Sequence, residues 1–377
     1  MTGAPMRLAV MIETDGPGGA EMMVFRLSEE LRRRGHTVVP VLPVPLIGWL
    51  GGLFRGAGFE VEEIPLGSSW LDVQRIQRIR RLIRERRIDV VHSHEFEMSV
   101  YGGTAAWLER VPQVMTIHGG LTVTNALRRR LALRWAIGRS ATAVAVSRAT
   151  GAQFSRDLGL GPATFTIVPN GVPETRGDAT RVRGEFGCAD DDVVLLAVGT
   201  LEENKGHRVL LSALVQVQRA GNRQPWRLII AGGRGGDQHQ ALLEQAAAPE
   251  LAGRVHIVTS RNDVADLQAL ADVFVMPSYR EGMPMAVLEA MVAGNAIIAS
   301  GVGGIPEAVT DGREGVLVPP GDVDALAGAL RALLSDRARR QALGEAARAR
   351  AHQHFTVSVM ADTYERLYRE AAKRHER

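Results

Sequence analysis

The fold of this chain is decided by one stretch, residues 271–294, whose sequence is ADVFVMPSYREGMPMAVLEAMVAG. Residues 271–276 are an apolar run of strand length, and residues 285–293 are largely apolar over the length of a short helix. Pro284 suits the first position of that helix, and Gly294 suits the position just after its end. The stretch therefore predicts a strand, a loop and a helix, in that order.

Two glutamates and a glycine in this stretch suit a ligand with phosphates and hydroxyls. The first amides of a helix lack partners and attract phosphate, and Gly282 lets a backbone approach closely. Glu289 lies inside the apolar helix, where a lone carboxylate needs partners such as sugar hydroxyls. The spacing alone favours a structural alternative, in which Glu281 caps the turn and Glu289 faces water.

The composition is that of a soluble globular protein. The chain has 377 residues, enough for two domains, and it is 45% hydrophobic and 23% charged. Its single cysteine, Cys188, excludes an internal disulfide and fits a reducing compartment. The first residues lack a signal-peptide pattern, and no apolar run approaches the ~20 residues of a membrane span. We therefore expect a cytoplasmic protein.

Strand-like runs alternate with helical patterns twice along the chain, and several of the strands end in glycine loops. This alternation predicts an α/β fold of two doubly wound Rossmann-like domains, with ligands at the carboxyl ends of the strands. We place the first domain at 1–172, the second at 173–355 and a closing helix at 356–377. The strand-end motifs are Gly18 and Gly19 after 7–12, His118 after 114–117, residues 199–207 after 193–198, and Gly232 and Gly233 after 228–231.

Charge is distributed unevenly between the two predicted domains. Residues 1–172 hold 21 Arg and 15 acidic residues, whereas the remainder has a net charge of −3. The basic first half suggests an anionic partner. A helix is predicted over 72–87, and two interpretations of its arginines stay open: a solvated face, or contact with anionic lipid head groups. Its apolar side is Val73, Ile76, Ile79 and Ile83, and its basic side is Arg75, Arg78, Arg80, Arg81, Arg84, Arg86 and Arg87.

Two patterns that suggest metal binding have simpler explanations. Nothing near His92, His94 and His118 in the sequence completes a metal site. Asp322 and Asp324 form a D-x-D pattern, but it follows Pro-Pro-Gly and opens a helix, where capping and first-turn acids belong. We therefore predict no metal.

The two glutamates of the opening stretch, separated by seven residues in the setting P-S-x-x-E-G-x-P-x-x-V-L-E-A-M, resemble the signature of family 4 retaining glycosyltransferases. Residues 299–307, ASGVGGIPE, and 311–322 extend the likeness, which covers nearly the whole chain. The resemblance implies the GT-B fold: two Rossmann-like domains facing across a cleft, with a C-terminal helix that crosses back to the first. It also implies a nucleotide-diphosphate-sugar donor and no cofactor.

The resemblance also assigns roles to individual residues. Glu281 would contact the hexose near the reacting carbon, His118 would orient the donor sugar, and Lys205 would neutralise the leaving diphosphate. Lys205 is one of only two lysines among 45 basic residues, which itself suggests a point-charge role. Glu289 would hold the ribose hydroxyls. The remaining donor-binding residues would be Gly18, Gly19, Thr200, Gly232, Gly233, Arg261, Gly282, Met283, Pro284, Met285 and Ala286, and His94 is a weaker candidate beside His118.

One position departs from the family pattern. Where the family carries an Arg before its Lys in the diphosphate clamp, this chain has Thr200. Either the clamp is weaker here, or another arginine, Arg280 or Arg261, supplies the charge.

The resemblance therefore implies a retaining, metal-independent bacterial glycosyltransferase of polysaccharide or glycoconjugate synthesis. The donor would be a UDP- or GDP-sugar, and the acceptor a glycan or lipid-linked molecule held by the first domain. We expect peripheral contact with the anionic inner face of the plasma membrane and no nucleic acid. Two alternatives are a nucleotide-sugar 2-epimerase and a non-catalytic nucleotide-sugar-binding subunit.

Overall fold

The protein is described from a computed structural model, which covers residues 4–14, 16–44, 48–65, 72–119, 126–233, 238–259 and 261–375. The chain divides into two compact units. The first comprises Met1–Gly171 together with Val357–Arg377, and the second comprises Val172–Thr356. The first domain was predicted to end at residue 172, one residue beyond the first division. The closing helix was predicted to begin at residue 356, one residue before the second division.

Thirteen strands are found in the described residues, seven in the first unit and six in the second. They are β1 (Arg7–Met11), β2 (Thr37–Val44), β3 (Glu62–Pro65), β4 (Val90–His94), β5 (Gln113–Ile117), β6 (Thr142–Ala145), β7 (Thr166–Ile167), β8 (Val193–Val198), β9 (Trp226–Gly232), β10 (Val255–Thr259), β11 (Val273–Met276), β12 (Ala296–Ser300) and β13 (Gly315–Val318).

Helices follow most of the strands. They are α1 (Gly19–Arg33), α2 (Trp49–Gly56), α3 (Val73–Glu85), α4 (Glu95–Glu109), α5 (Leu127–Arg139), α6 (Arg148–Leu158), α7 (Ala179–Glu185), α8 (His207–Arg219), α9 (His239–Ala246), α10 (Val264–Leu270), α11 (Met285–Ala293), α12 (Ile305–Ala308), α13 (Val323–Ser335), α14 (Arg337–His354) and α15 (Val357–His375).

Each unit contains one parallel sheet. The strand order is β3-β2-β1-β4-β5-β6-β7 in the first unit and β10-β9-β8-β11-β12-β13 in the second. Helices cover both faces of such sheets, which is why most of the central strands are continuous apolar runs. The order reverses between β1 and β4 and again between β8 and β11, and ligands bind beyond the carboxyl ends of the strands at such reversals. The predicted pair of doubly wound domains is confirmed.

The last helix, α15, packs on the first unit, as predicted. Its Tyr364 and Tyr368 are fully buried, and the Tyr364 hydroxyl lies 3.0 Å from the Thr116 hydroxyl on β5. Glu365 on the same helix accepts hydrogen bonds from Arg34, at 2.7 Å, and pairs with His36, at 2.8 Å. The first unit therefore includes a helix that follows the whole second unit in the sequence.

Helix α3 differs from its predicted amphipathic pattern. Val73, assigned to the apolar side, is 60% exposed, whereas Arg75, assigned to the basic side, is buried. The Arg75 guanidinium donates to Glu97 at 3.0 Å and lies over the Tyr101 ring, because its long side chain reaches α4. Arg80 and Arg84 both bind Glu109. Part of the positive charge of this helix is thus paired within the unit, and lipid contact stays a prediction.

Candidate active site

The second crevice is the name used here for the carboxyl ends of β8 and β11, where the strand order of the second sheet reverses. Lys205 follows β8 and Glu281 follows β11. The Lys205 Nζ donates a hydrogen bond to Glu281 Oε1 at 2.7 Å. The glutamate side chain is only 9% exposed and the lysine side chain 21%. Two residues predicted to be catalytic are therefore in direct contact.

Backbone contacts hold the loops of the second crevice together. The Tyr279 amide donates to the Asn204 carbonyl oxygen at 2.9 Å, and the Asn204 side chain donates to the Arg280 carbonyl oxygen at 3.1 Å. Gly206 has φ +66°, and a Cβ there would collide with the Pro277 carbonyl oxygen. Only glycine tolerates both the conformation and the contact.

Helix α11 begins at Met285, one residue later than predicted. Pro284 has extended backbone dihedrals (φ −72°, ψ 120°) and occupies the N-cap position. A residue at the N-cap has non-helical dihedrals, and the helical values begin at the next residue. Gly294 ends the helix in the left-handed conformation, φ 87°, as predicted. Met283, Pro284 and Met285 are buried, whereas the predicted donor-binding residues Ala286 and Glu289 are half-buried.

The loop before α11 rests on a second glycine turn, residues 301–304. The Gly304 amide donates to the Gly282 carbonyl oxygen at 2.7 Å. A Cβ on Gly303 would collide with the Glu281 carbonyl oxygen. The G-V-G-G motif is thus explained by the close approach of two backbones, since residues 303 and 304 lie against the backbone of Glu281 and Gly282.

Three predicted donor-binding residues lie at the ends of β8 and β9, and their surroundings differ from one another. A Cβ on Gly232 would collide with the Leu201 side chain, so this glycine is required for packing. Gly233 is half-buried and faces open space. The Thr200 carbonyl oxygen accepts a hydrogen bond from His207 Nε2 at 3.2 Å, and burial lowers the pKa of His207 to about 4. Residues 234–236 of the predicted glycine loop lie outside the described residues.

Of the two arginines proposed to replace the missing one at Thr200, only Arg280 has a guanidinium without a partner among the described residues. Arg261 follows β10, the edge strand, and donates to Asp263 at 2.7 Å and to Glu185 at 3.0 Å. These acids raise the pKa of the Arg261 guanidinium. Arg280 is exposed beside Glu281, and no ion pair is formed by its side chain within the described part of the chain. Ser260, in the predicted base-binding turn, lies outside that part.

The first crevice is the corresponding region of the first sheet, at the carboxyl ends of β1, β4 and β5. His94 Nδ1 and His118 Nε2 lie 3.0 Å apart, so one ring donates and the other accepts. Burial lowers the pKa of His118 to about 4 and that of His94 well below its usual range, so both rings are neutral at pH 7. Among the described residues, His94 Nε2 and His118 Nδ1 have no hydrogen-bond partner.

Three carboxyl groups, those of Glu13, Glu21 and Glu95, lie in the first crevice. The backbone amides of Glu97 and Met98 donate to Glu13, which caps the start of α4. The Glu21 carboxylate lies over Gly18, where a Cβ would collide with it. Burial and neighbouring carboxylates raise the pKa of Glu13 to about 7 and that of Glu95 to about 8. Sequence reasoning missed Glu13 and Glu95; their position just after β1 and β4 was the available signal.

Over the described ranges, no group of three or more His, Cys, Asp and Glu side chains is arranged to hold a metal ion. Over the same ranges, no helix is both long enough and apolar enough to cross a bilayer.

Comparisons with known proteins identify the class to which this site belongs. Residues 17–176 match the family described as Glycosyltransferase Family 4, and residues 178–350 match the one described as Glycosyl transferases group 1. The chain is 32% identical over 313 residues to a glycogen synthase of Mycobacterium tuberculosis, with 80% of this chain and 73% of that protein covered. The class defined by fold and site is that of glycosyltransferases.

Two further relatives place the chain within that class. A D-inositol 3-phosphate glycosyltransferase of Corynebacterium diphtheriae is 29% identical over 394 residues, covering 94% of this chain and 90% of that one. The structure of HepE from Anabaena in complex with UDP matches with a TM-score of 0.82 at 22% identity, covering 96% of this chain and 99% of that one. This chain belongs to glycosyltransferase family 4 and has the GT-B fold, as its sequence predicted.

Proposed function

We propose that this protein is a retaining glycosyltransferase that transfers a hexose from a nucleotide-diphosphate sugar to an acceptor hydroxyl without a metal ion. The observation that carries the proposal is the contact between Lys205 and Glu281 at the strand reversal of the second sheet, beside the start of α11. The lysine and the first amides of α11 supply positive charge where a leaving diphosphate would develop negative charge.

Donor binding would exchange the partner of Lys205. In the structure the ammonium group is bound by Glu281. A diphosphate near the start of α11 competes for that ammonium group, because it carries more charge than one carboxylate. Glu281 is then released toward the hexose, and the Arg280 guanidinium is available to take the place of the arginine missing at Thr200.

The proposed reaction breaks the bond between the anomeric carbon and the β-phosphate oxygen. The acceptor oxygen forms its bond to the same face of that carbon, and its proton passes to the departing phosphate oxygen. Glu281 would stabilise the charge that develops near the anomeric carbon. Glu289 would accept hydrogen bonds from the ribose hydroxyls, and His118 keeps its family-derived assignment to the donor sugar, with an unpartnered Nδ1 among the described residues.

The comparisons support a uridine nucleotide as the first donor to test. HepE of Anabaena has been solved with UDP and with UDP-glucose. An identity of 22% to this chain supports a shared fold and not a shared donor, so a GDP-sugar stays a candidate. The relatives differ in their acceptors by name, one being a glycogen synthase and another acting on D-inositol 3-phosphate. For this chain we propose a glycan or lipid-linked acceptor.

Thermal unfolding with UDP, GDP or ADP, each in the presence of EDTA, tests the proposal. Ligand at ~100 times its dissociation constant adds roughly 2.7 kcal/mol to the free energy of unfolding. We expect one nucleotide, UDP first, to stabilise the protein without metal, and the matching nucleotide sugar to give a product of retained anomeric configuration by NMR. Stabilisation only after Mn²⁺ or Mg²⁺ is added would refute metal independence, and an inverted product would refute retention.

Peripheral membrane attachment is a separate part of the proposal. On α5, Leu127 and Leu131 are 68% and 55% exposed among several arginines. An exposed apolar and basic helix suits the surface of an anionic membrane. Co-sedimentation with vesicles containing 30% anionic lipid at low salt tests it, with neutral vesicles as the control. No binding to the anionic vesicles would remove this part and leave the transferase proposal unaffected.

A further inference from the structure

One face of β4 and β5 carries a row of polar side chains. Side chains two residues apart on a strand lie on the same face, so His92 and His94 share a face of β4. The strand register places Thr116 of β5 beside His94, and His118 follows Thr116 by two residues. His92, His94 and Thr116 are fully buried. Buried polar groups of this kind need hydrogen-bond partners.

Two tyrosines of α15 complete the hydrogen bonds of this face. The Tyr368 hydroxyl lies 2.7 Å from His92 Nδ1, and His92 Nε2 lies 2.9 Å from the Thr116 hydroxyl. The Thr116 hydroxyl lies 3.0 Å from the Tyr364 hydroxyl. Both tyrosine side chains are fully buried. The His92 ring is therefore held at both of its nitrogens, by α15 at Nδ1 and by β5 at Nε2.

These contacts assign a tautomer to His92. Burial lowers the pKa of His92 to about 3 and raises the pKa of the Tyr368 hydroxyl, so at pH 7 the ring is neutral and the phenol keeps its hydrogen. Among the described residues, His92 Nδ1 is the one hydrogen-bond partner of that hydroxyl. The phenol therefore donates to Nδ1, and Nε2 carries the ring hydrogen and donates to Thr116. The opposite tautomer would leave the Tyr368 hydrogen buried without an acceptor, which is costly.

The His92 ring in turn lies against the histidines of the first crevice. The ring centroids of His92 and His94 are 4.0 Å apart. The His94 and His118 rings are stacked at 5.2 Å, with Nδ1 of the first 3.0 Å from Nε2 of the second. Direct contacts therefore lead from Tyr368 on α15 to His118 at the end of β5.

We propose that Tyr368 is a positioning residue for the transferase reaction: by donating to His92 it fixes the ring that holds His94 and, through His94, His118. Tyr368 and His92 are 276 residues apart in the sequence and meet because α15 packs on the first sheet. The inference rests on the proposed function, in which His118 orients the donor sugar. Misplacing a group at the reacting centre by about 1 Å can cost on the order of 10²-fold in rate, and we expect a smaller loss for a hydroxyl that acts through two other rings.

NMR of the full-length protein with ¹⁵N-labelled histidine tests the coupling, because the two ring nitrogens report the tautomer. His→Gln variants assign the signals. We expect wild-type His92 to carry its hydrogen on Nε2. Tyr368→Phe removes only the hydroxyl and should give His92 a mixture of tautomers and shift the His118 signals.

Tyr364→Phe is the matched control, because this tyrosine is equally buried on the same helix and its hydroxyl contacts Thr116 instead of a histidine. It should leave the His92 tautomer and the His118 signals unchanged, since the Thr116 oxygen still accepts from Nε2. A wild-type His92 with its hydrogen on Nδ1 overturns the inference. Unmoved His118 signals in Tyr368→Phe, or equal shifts in the two variants, overturn it as well.

Kinetics separate positioning from a purely structural role. With UDP-glucose, or GDP-mannose if GDP is the nucleotide that stabilises the protein, Tyr368→Phe should lower kcat roughly tenfold. The donor KM should stay within about twofold, because the second unit binds the nucleotide. Tyr364→Phe should keep both constants within about twofold of the wild type. A structural role would affect the two variants alike.

The two proposals fail in different ways. A wild type that turns over neither nucleotide sugar counts against the proposed function, and the histidine signals still decide whether α15 controls His118. Wild-type turnover with the same kcat in Tyr368→Phe counts against this inference alone.

Discussion

The two crevices occupy equivalent places in their sheets but have opposite electrostatic designs. In the second, the carboxylate of Glu281 is neutralised by Lys205 at 2.7 Å. In the first, Glu13, Glu21 and Glu95 have no cationic partner within the described residues, and Glu13 and Glu95 respond with raised pKa values. The same parallel topology thus provides one crevice with a paired carboxylate and one whose carboxyl groups have no cationic partner among the described residues. The side chains after the strands, not the fold, set this difference.

The largest expected effect concerns the charge pair of the second crevice. Glu281→Gln should lower kcat by roughly 10²–10³-fold, the usual loss when one group that stabilises transition-state charge is removed. UDP affinity should stay the same or rise, because Lys205 loses its competing carboxylate. Turnover of the nucleotide sugar and UDP titration measure the two effects.

Glu345→Gln, an exposed acid on α14, is the matched control and should leave both quantities unchanged. A wild type that binds the nucleotide but shows no turnover with any acceptor would favour the non-catalytic alternative. Equal kcat in Glu281→Gln and wild type would remove Glu281 from the mechanism. Release of free sugar from the nucleotide without an acceptor would favour the epimerase alternative.

The next effect tests how rigidly the second crevice is built. Gly206→Ala forces a Cβ into the Pro277 carbonyl oxygen and places alanine at φ +66°, so we expect a loss of about 3 kcal/mol of unfolding free energy and weaker UDP binding. Gly187→Ala is the control: its φ is +58°, and nothing lies within 4 Å of the added Cβ. It should lose about 1 kcal/mol with UDP binding intact. Urea unfolding measures both, and equal losses would contradict the clash.

The third and smallest effect concerns the pH response of the first crevice. Because the folded pKa of Glu95 is about 8 and its ordinary value 4.5, its contribution to stability is present at low pH and is lost as the pH rises through 8. The wild type should lose on the order of 2 kcal/mol between pH 6 and pH 9, and Glu95→Gln should lose less. Urea unfolding at the two pH values is the measurement.

The histidines do not interfere with that pH comparison above neutrality. Burial lowers the pKa of His92 to about 3 and those of His118 and His207 to about 4. A histidine with a lowered folded pKa destabilises the protein as the pH falls below its ordinary value of 6.5, not as the pH rises. A wild-type curve that is flat between pH 7 and pH 9 would therefore contradict the protonated state of Glu95 directly.

Local sequence patterns predicted much of the second crevice. Gly294 was assigned correctly to the end of α11, because a left-handed C-terminal residue is a local requirement that glycine meets. The strand–helix alternation predicted both sheets for the same reason, because hydrophobic periodicity and turn residues are local signals that a few neighbouring positions carry. The assignment of Pro284 was wrong by one residue, as expected where cap geometry decides the boundary. The roles given to the predicted site residues stay predictions.

The first crevice was predicted less completely. His118 and His94 were named, but Glu95 was missed. Its significance depends on burial, on an unpaired oxygen and on the carboxyls of Glu13 and Glu21, which come from other parts of the chain. Arg75 illustrates the same limit: it was placed on the exposed side of α3, but a partner on α4 draws it into the interior.

By itself the sequence determined the strand, loop and helix around Glu281, the two α/β units and the family, because each depends on short-range spacing or on motifs. Only the tertiary structure decided which of these residues meet. Lys205 and Glu281 are 76 residues apart and form an ion pair because β8 and β11 are neighbours, while β9 and β10, between them in sequence, lie on the other side of β8. Strand order is a property of the whole sheet, and it brought Glu13, Glu95 and His118 to one edge in the same way.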